Sequence, residues 1–293
     1  MRHPARRYTE PRMHQGREKL LHASADPRPT DELVRLALTE VDEDMAWEYV
    51  TALQFRGDGE VLKAALCLCE SQLPTERELG VTILGQLGIP ERTFPGKSFL
   101  TLARMLETET DPDTLQAIGV AFGHLNDPRC IGLLVPMKNH PCNLVRWGVV
   151  HGIAGHNHPL AIQTLIELSR DEDEEIRDWA SFALGSLIDT DTEEIREALW
   201  ARVTDSFEDV RAEALTGLAR RKDPRVRDLL LRELAAENVD IMIVDAAQEL
   251  GDALLLPALL ELKQRWPADR RDEEDWLDKA IESCSGFAER DSG

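Results

Sequence analysis

Aromatic side chains are scarce in this 293-residue sequence, at 5% of the total with only two tyrosines. Beside a 42% apolar content dominated by small and aliphatic residues, that scarcity disfavours a sheet sandwich and suits closely stacked helices. The five cysteines are an odd number without framework spacing, which excludes a disulfide scaffold and points to reduced thiols in a cytoplasmic protein. No apolar run approaches the length of a membrane span, and the basic residues 1–30 lack the apolar core of an export signal. A phosphate loop, a nucleophile elbow and a catalytic carboxylate pair are also missing, so the expectation is a protein that is not an enzyme.

Basic charge is in short supply too. The net charge is −21, and it is uneven: residues 1–28 carry seven Arg or Lys against Glu10, Glu18 and Asp26 and stand near +4, leaving the rest near −25. A body that acidic repels phosphate backbones, whose binding depends on Lys and Arg displacing counterions, so nucleic acid is disfavoured as a partner. Two readings of the acidity remain open, attraction to a basic partner and simple solubility.

What the sequence does contain is one pattern, repeated. An apolar residue, usually Arg, two variable positions, a run of small or apolar residues and Leu-Gly or a substitute recur from Arg77 to Leu84-Gly85, Arg146 to Ile153-Ala154, Arg177 to Leu184-Gly185 and Arg211 to Leu218-Ala219. With weaker copies included, the Arg slot falls at 46, 77, 115, 146, 177, 211 and 243, at spacings of 31, 38, 31, 31, 34 and 32. A period of that size belongs to a helical solenoid, whose repeats bury their apolar faces by stacking on neighbours.

The expected fold is all-α, a right-handed α-α superhelix of about seven helix pairs with a capping helix over Arg270 to Ser283. Inner helices are expected near 45–55, 75–87, 112–125, 143–154, 174–187, 208–219 and 240–250. The expected organisation is a flexible basic segment over 1–29, a single solenoid over 30–286 and a disordered tail over 287–293. Thr30-Asp31-Glu32 offers a helix cap with first-turn acids, and Asp127-Pro128, His158-Pro159 and Asp223-Pro224 mark the joints. The 38-residue spacing places about seven extra residues in Ile89 to Lys97, expected to protrude as a loop.

Asp171 to Arg177 through Leu184-Gly185, Asp205 to Arg211 through Leu218, and Leu125 to Arg129 resemble the short HEAT-like repeat of the phycobilisome-lyase group of bacterial solenoids. The resemblance runs from about Asp31 to Ser283. It implies the fold and leaves function open, because repeat families host unrelated activities. Tetratricopeptide and ankyrin repeats share the period, but neither Trp-x-x-Leu-Gly-x-x-Tyr nor Thr-Pro-Leu-His occurs.

Arg77, Arg146, Arg177 and Arg211 are expected to form a structural ladder, pairing with Asp173, Asp205, Asp209 or their equivalents. If the third, fourth, sixth and seventh positions after each slot pack inward, the first and fifth look the other way, with the second beside them. Those columns place Trp47, Glu78, Gln116, Trp147, His151, Asp178, Trp179, Phe182 and Glu213 in the solenoid groove. Trp179 and Phe182 have a second reading, since a third of a turn of rotation buries them. Aromatics are enriched among binding hot spots, so the groove is expected to hold a protein or peptide.

His140, His151, His156 and His158 with Cys130 and Cys142 contain zinc-binding groups, but His140-Pro-Cys142 and His156-Asn-His158 sit at opposite ends of an inner helix, about 16 Å apart by the helical rise. No metal and no cofactor is therefore expected, and the loop histidines stand where Asp usually caps. The expected function is a monomeric interaction scaffold or inhibitor of immunity type, taking a basic partner away from any membrane. The resemblance also implies alternatives: bilin lyases share the repeat, and alkylpurine DNA glycosylases resemble the layout of Trp and Asp on inner helices, although their groove has to be basic.

Overall fold

A computed structural model describes residues 26–266 and 274–286. Most of the segment over 1–29 and the tail over 287–293 lie outside the described residues, as does the start of the expected cap. Within the described residues there are sixteen α-helices and no strand, and the chain divides into two compact units, residues 1–153 and 154–293.

The first unit contains α1 (Thr30–Thr39), α2 (Glu43–Arg56), α3 (Gly59–Cys69), α4 (Pro74–Gln86), α5 (Pro95–Met105), α6 (Pro112–Leu125), α7 (Cys130–Leu134) and α8 (Asn143–Ile153). The even-numbered helices form one row, α2 on α4, α4 on α6 and α6 on α8, and the odd-numbered ones pack against it. The second unit repeats the scheme with α9 (Pro159–Leu168), α10 (Glu174–Phe182), α11 (Glu193–Trp200), α12 (Glu208–Arg220), α13 (Arg227–Leu234), α14 (Ile241–Leu250), α15 (Leu256–Gln264) and α16 (Glu274–Ser285). Its row is α10, α12, α14 and α16. The last helix closes α14 with Leu277, Ala280 and Cys284, all fully buried.

The apolar run after each slot forms the core. Ile83 and Leu84, Ile118 and Phe122, Val149 and Ile153, and Leu184 and Leu218 are at or below 1% exposure. Each such side chain contributes roughly 1.5–3 kcal/mol on leaving water. Helix starts follow from short-range chemistry. Asp58, Asp111, Asp173 and Asp252 accept N–H bonds from the first turns of α3, α6, α10 and the turn before α15. The histidine at one joint does the same, His158 Nδ1 accepting from Leu160 N–H at 3.2 Å. Thr30 differs from expectation: it is the first helical residue, and Pro29 takes the cap position without a side-chain bond.

The arginine slot proves to be one half of a two-part device. Six residues before the first six slots, the side chains of Glu40, Ser71, Glu109, His140, Asp171 and Asp205 accept the N–H two residues on. The slot arginine closes the same loop, with Nη1 of Arg77, Arg146, Arg177 and Arg211 donating to the carbonyls of residues 71, 140, 171 and 205 at 2.8 to 3.1 Å. Its other edge reaches the next repeat. Arg77 grips Glu109 (2.7 and 2.9 Å) and Arg177 grips Asp205 (3.0 and 2.9 Å), both in bidentate geometry. Where the slot holds Ala46 or Leu115, the following loop holds Ser71 or His140 instead of a carboxylate, so a buried acid is never left without its arginine there.

The seven extra residues do not protrude freely. Residues 87–94 fold back on the α2–α3 joint: Gly88 N–H donates to Gln54 O at 2.7 Å and the Thr93 hydroxyl to Gly57 O at 2.6 Å. Carbonyls at the end of α2 and in its joint find donors in the folded-back segment, which a count of spacing does not reveal.

Candidate functional site

The groove residues fall into both units, and each group is described in its own. In the first unit, α2, α4, α6 and α8 present Trp47, Glu78, Gln116 and Trp147, in that order along the row. Trp47 is 53% exposed, and the other three are half-buried. The row is tight enough to make them neighbours: a Cβ added at Gly148 meets Gln116 backbone atoms at 3.0 Å, so the stretch around Trp147 runs directly beside α6. His151, one turn on, stacks on Trp147 with ring centroids 3.6 Å apart and planes tilted 37°. Thr82 holds the register of α4 against α2, its carbonyl accepting from the buried Gln54 side chain at 2.9 Å.

Charge here is acidic and partly desolvated. Burial first, then Asp113 and Asp111, raise the Glu78 carboxyl above its ordinary 4.5. A carboxylate held in that way is stabilised by an arriving cation, and tryptophan faces attract the same ligand. The desolvated Glu78 carboxyl and the indoles elsewhere in the row each favour a cationic side chain.

In the second unit the same columns are largely closed. Asp178 is 7% exposed and Glu213 4%, so both were misassigned to an open groove. Spacing along one helix sets the direction of a side chain, and the neighbouring helices set whether it reaches solvent. Along α12 the side chains around Glu213 are short, Ala212, Thr216 and Gly217, and all are buried with it. Trp179 and Phe182 are half-buried and meet edge to face, centroids 5.6 Å apart at 88°. This is an aromatic packing geometry.

Two arginines escaped the sequence reading. Arg221 donates to the carbonyls of Leu184, Gly185, Ile188, Thr190 and Gly217 at 2.7 to 3.1 Å, satisfying the end of a π-helical turn over Ala183–Leu187. Only its place in the basic run Arg220 to Lys222 of an acidic chain hinted at it. Arg92, in the folded-back segment, had no signal beyond that insertion.

Among the described residues no group of three His, Cys, Asp or Glu is arranged to hold a metal ion. No helix among them is long and apolar enough to cross a membrane.

Paired helices stacked in rows, with an arginine-to-acid link between successive repeats, define a helical repeat protein of the HEAT type, and residues 99–185 match the HEAT repeats family. The chain is similar to Protein YibA of Escherichia coli strain K12, 29% identical over 244 residues that make up 78% of this chain and 83% of YibA. YibA of Escherichia coli O157:H7 matches to the same extent. The X-ray structure of Escherichia coli YibA superposes with a TM-score of 0.67 at 26% identity, covering 94% of this chain and 98% of that one.

Proposed function

We propose that this HEAT-repeat protein is a non-enzymatic binding scaffold that takes a basic protein or peptide on the open row of its first unit, through Trp47, Glu78, Gln116, Trp147 and His151. The observation that carries the reading is a tryptophan stacked on histidine on α8, in the same row as an exposed tryptophan on α2 and a desolvated carboxylate on α4, in a chain whose net charge is −21. An aromatic anchor flanked by acid suits a cationic side chain, and the body charge attracts such a partner from a distance. In its most specific form the protein is an inhibitor of immunity type, masking a cationic protein in the cytoplasm as a monomer. Affinity capture at low salt from the native cell, repeated with Trp147→Ala, tests the reading. The expected result is a basic protein retained by the wild type and lost by the variant. Equal retention by both removes the first-unit row from the account.

A further inference from the structure

One part of this acidic chain has almost no acid. From Arg92 to Leu106 the sequence carries Arg92, Lys97 and Arg104 and no carboxylate, and from Thr114 to Ile153 it carries Arg129, Lys138 and Arg146 against Asp127 alone. These stretches supply α5 and α7. Of the odd-numbered helices in the first unit, those two alone lack a carboxylate, whereas α1 has Asp31 and Glu32 and α3 has Glu60.

Helical spacing sets the cations outward, with leucines between them. Lys97, Leu100 and Arg104 are three and four residues apart along α5, so they share one stripe, and all three are exposed. Ser98, Phe99 and Leu102 of the same helix are buried. Arg129 and Leu133 stand four residues apart at α7, both exposed, while Cys130, Ile131 and Leu134 are buried. The two stripes meet: the Arg129 guanidinium carbon lies 4.0 Å from the centre of the Phe99 ring. Leu100 is 58% exposed, Leu133 38% and Phe94 37%, and the Lys97 ammonium lies 5.7 Å from the Phe94 ring centre. A Cβ added at Gly96 or Gly132 meets nothing within 4 Å, so the surface over both helices is open. Arg129 pairs with Asp127, but Lys97 and Arg104 form no ion pair among the described residues.

We propose that the outer face of α5 and α7 is a docking surface for an acidic segment of a partner protein, which sets apolar side chains on Leu100 and Leu133 and carboxylates on Lys97 and Arg104. Charge of one sign around exposed leucines asks for both features in the occupant. A nucleic acid has no apolar side chain to place on the leucines. An anionic membrane leaflet is broad enough to meet the exposed Asp31 of α1 and Glu60 of α3 as well, and those it repels. A narrow acidic segment covers α5 and α7 and leaves those acids in water. This surface is independent of the even-numbered row and takes a partner of the opposite charge.

The test uses the full chain and a fluorescein-labelled synthetic peptide of glutamate and leucine, followed by anisotropy at low and high salt. Vesicles of phosphatidylserine with phosphatidylcholine and a single-stranded oligonucleotide are offered in separate arms. The expected result is saturable peptide binding that weakens as salt rises, with no binding to vesicles or oligonucleotide. Lys97→Glu combined with Arg104→Glu is expected to weaken the peptide about tenfold or more, and Leu100→Ser about threefold. Arg35→Glu, at an exposed position of α1, is expected to stay within about twofold of the wild type. Absence of saturable peptide binding, binding undiminished by the charge reversal, or an equal loss in Arg35→Glu overturns the proposal. Vesicles or oligonucleotide bound as tightly as the peptide, and lost with the same charge reversal, overturn it too and give the surface to that ligand.

Discussion

The row α2–α4–α6–α8 and the row α10–α12–α14–α16 are built from the same repeat, yet the first displays Trp47 at 53% exposure and the second keeps Asp178, Ala212, Glu213 and Thr216 at or below 7%. In the first row the helices meet at backbone contact: a Cβ at Gly119 would lie 2.3 Å from Gly148 O. In the second row the backbones at Gly185 and Gly217 come as close, a Cβ at Gly217 meeting Gly185 Cα at 2.5 Å and one at Gly185 meeting Gly217 Cα at 3.1 Å, yet Ala212, Glu213 and Thr216 on α12 are buried. The comparison teaches that one motif, with equally close backbones, gives an open or a closed face according to which side chains occupy its outward column.

The strongest way to break this contrast is to push the first row apart. Gly119→Ala is expected to cost about 3 kcal/mol or more, because its Cβ meets backbone that cannot yield, whereas Gly185→Ala should cost about 1 kcal/mol. Denaturant midpoints of the two variants measure the difference. Next in size, Arg221→Ala strips donors from the carbonyls that end the π turn and is expected to destabilise by about 2–3 kcal/mol, mostly in the second unit. Amide exchange over residues 183–190 locates the loss.

A smaller effect is expected from Arg177→Met, about 2 kcal/mol at neutral pH. Burial of Asp205 opposes its ionisation, but Arg177 and the Phe207 N–H outweigh it and hold the carboxyl below its ordinary 3.8. A folded pKa below the unfolded one contributes stability above the unfolded value and loses it as pH falls through the folded one. Wild-type stability should therefore fall below pH 3.8 with a component that Arg177→Met lacks, as thermal melts across the acid range will show. Smallest of all, Trp147→Ala is expected to cost about 1 kcal/mol and Trp47→Ala within about 0.5 kcal/mol, while both weaken partner binding.

Much of the fold was legible because period and caps act locally. The expected inner helices at 112–125, 143–154 and 208–219 are found at Pro112–Leu125, Asn143–Ile153 and Glu208–Arg220. The arginine ladder was legible too, since Arg177 had acids at a fixed distance, and its Asp205 link formed. Exposure was less so. Trp147 and Asp178 occupy the same column, but one is half-buried and the other buried, a difference that spacing along a single helix does not carry. Arg221 acts through backbone carbonyls and leaves no trace in residue spacing.

The most direct test of the account is the kinetics of the captured partner against ionic strength, measured with wild type and Trp147→Ala side by side. Steering by the acidic body should make the association rate fall as salt rises, while loss of the stacked indole should raise the dissociation rate and leave association nearly unchanged. An association rate that does not depend on salt, together with an unchanged dissociation rate in Trp147→Ala, would contradict it.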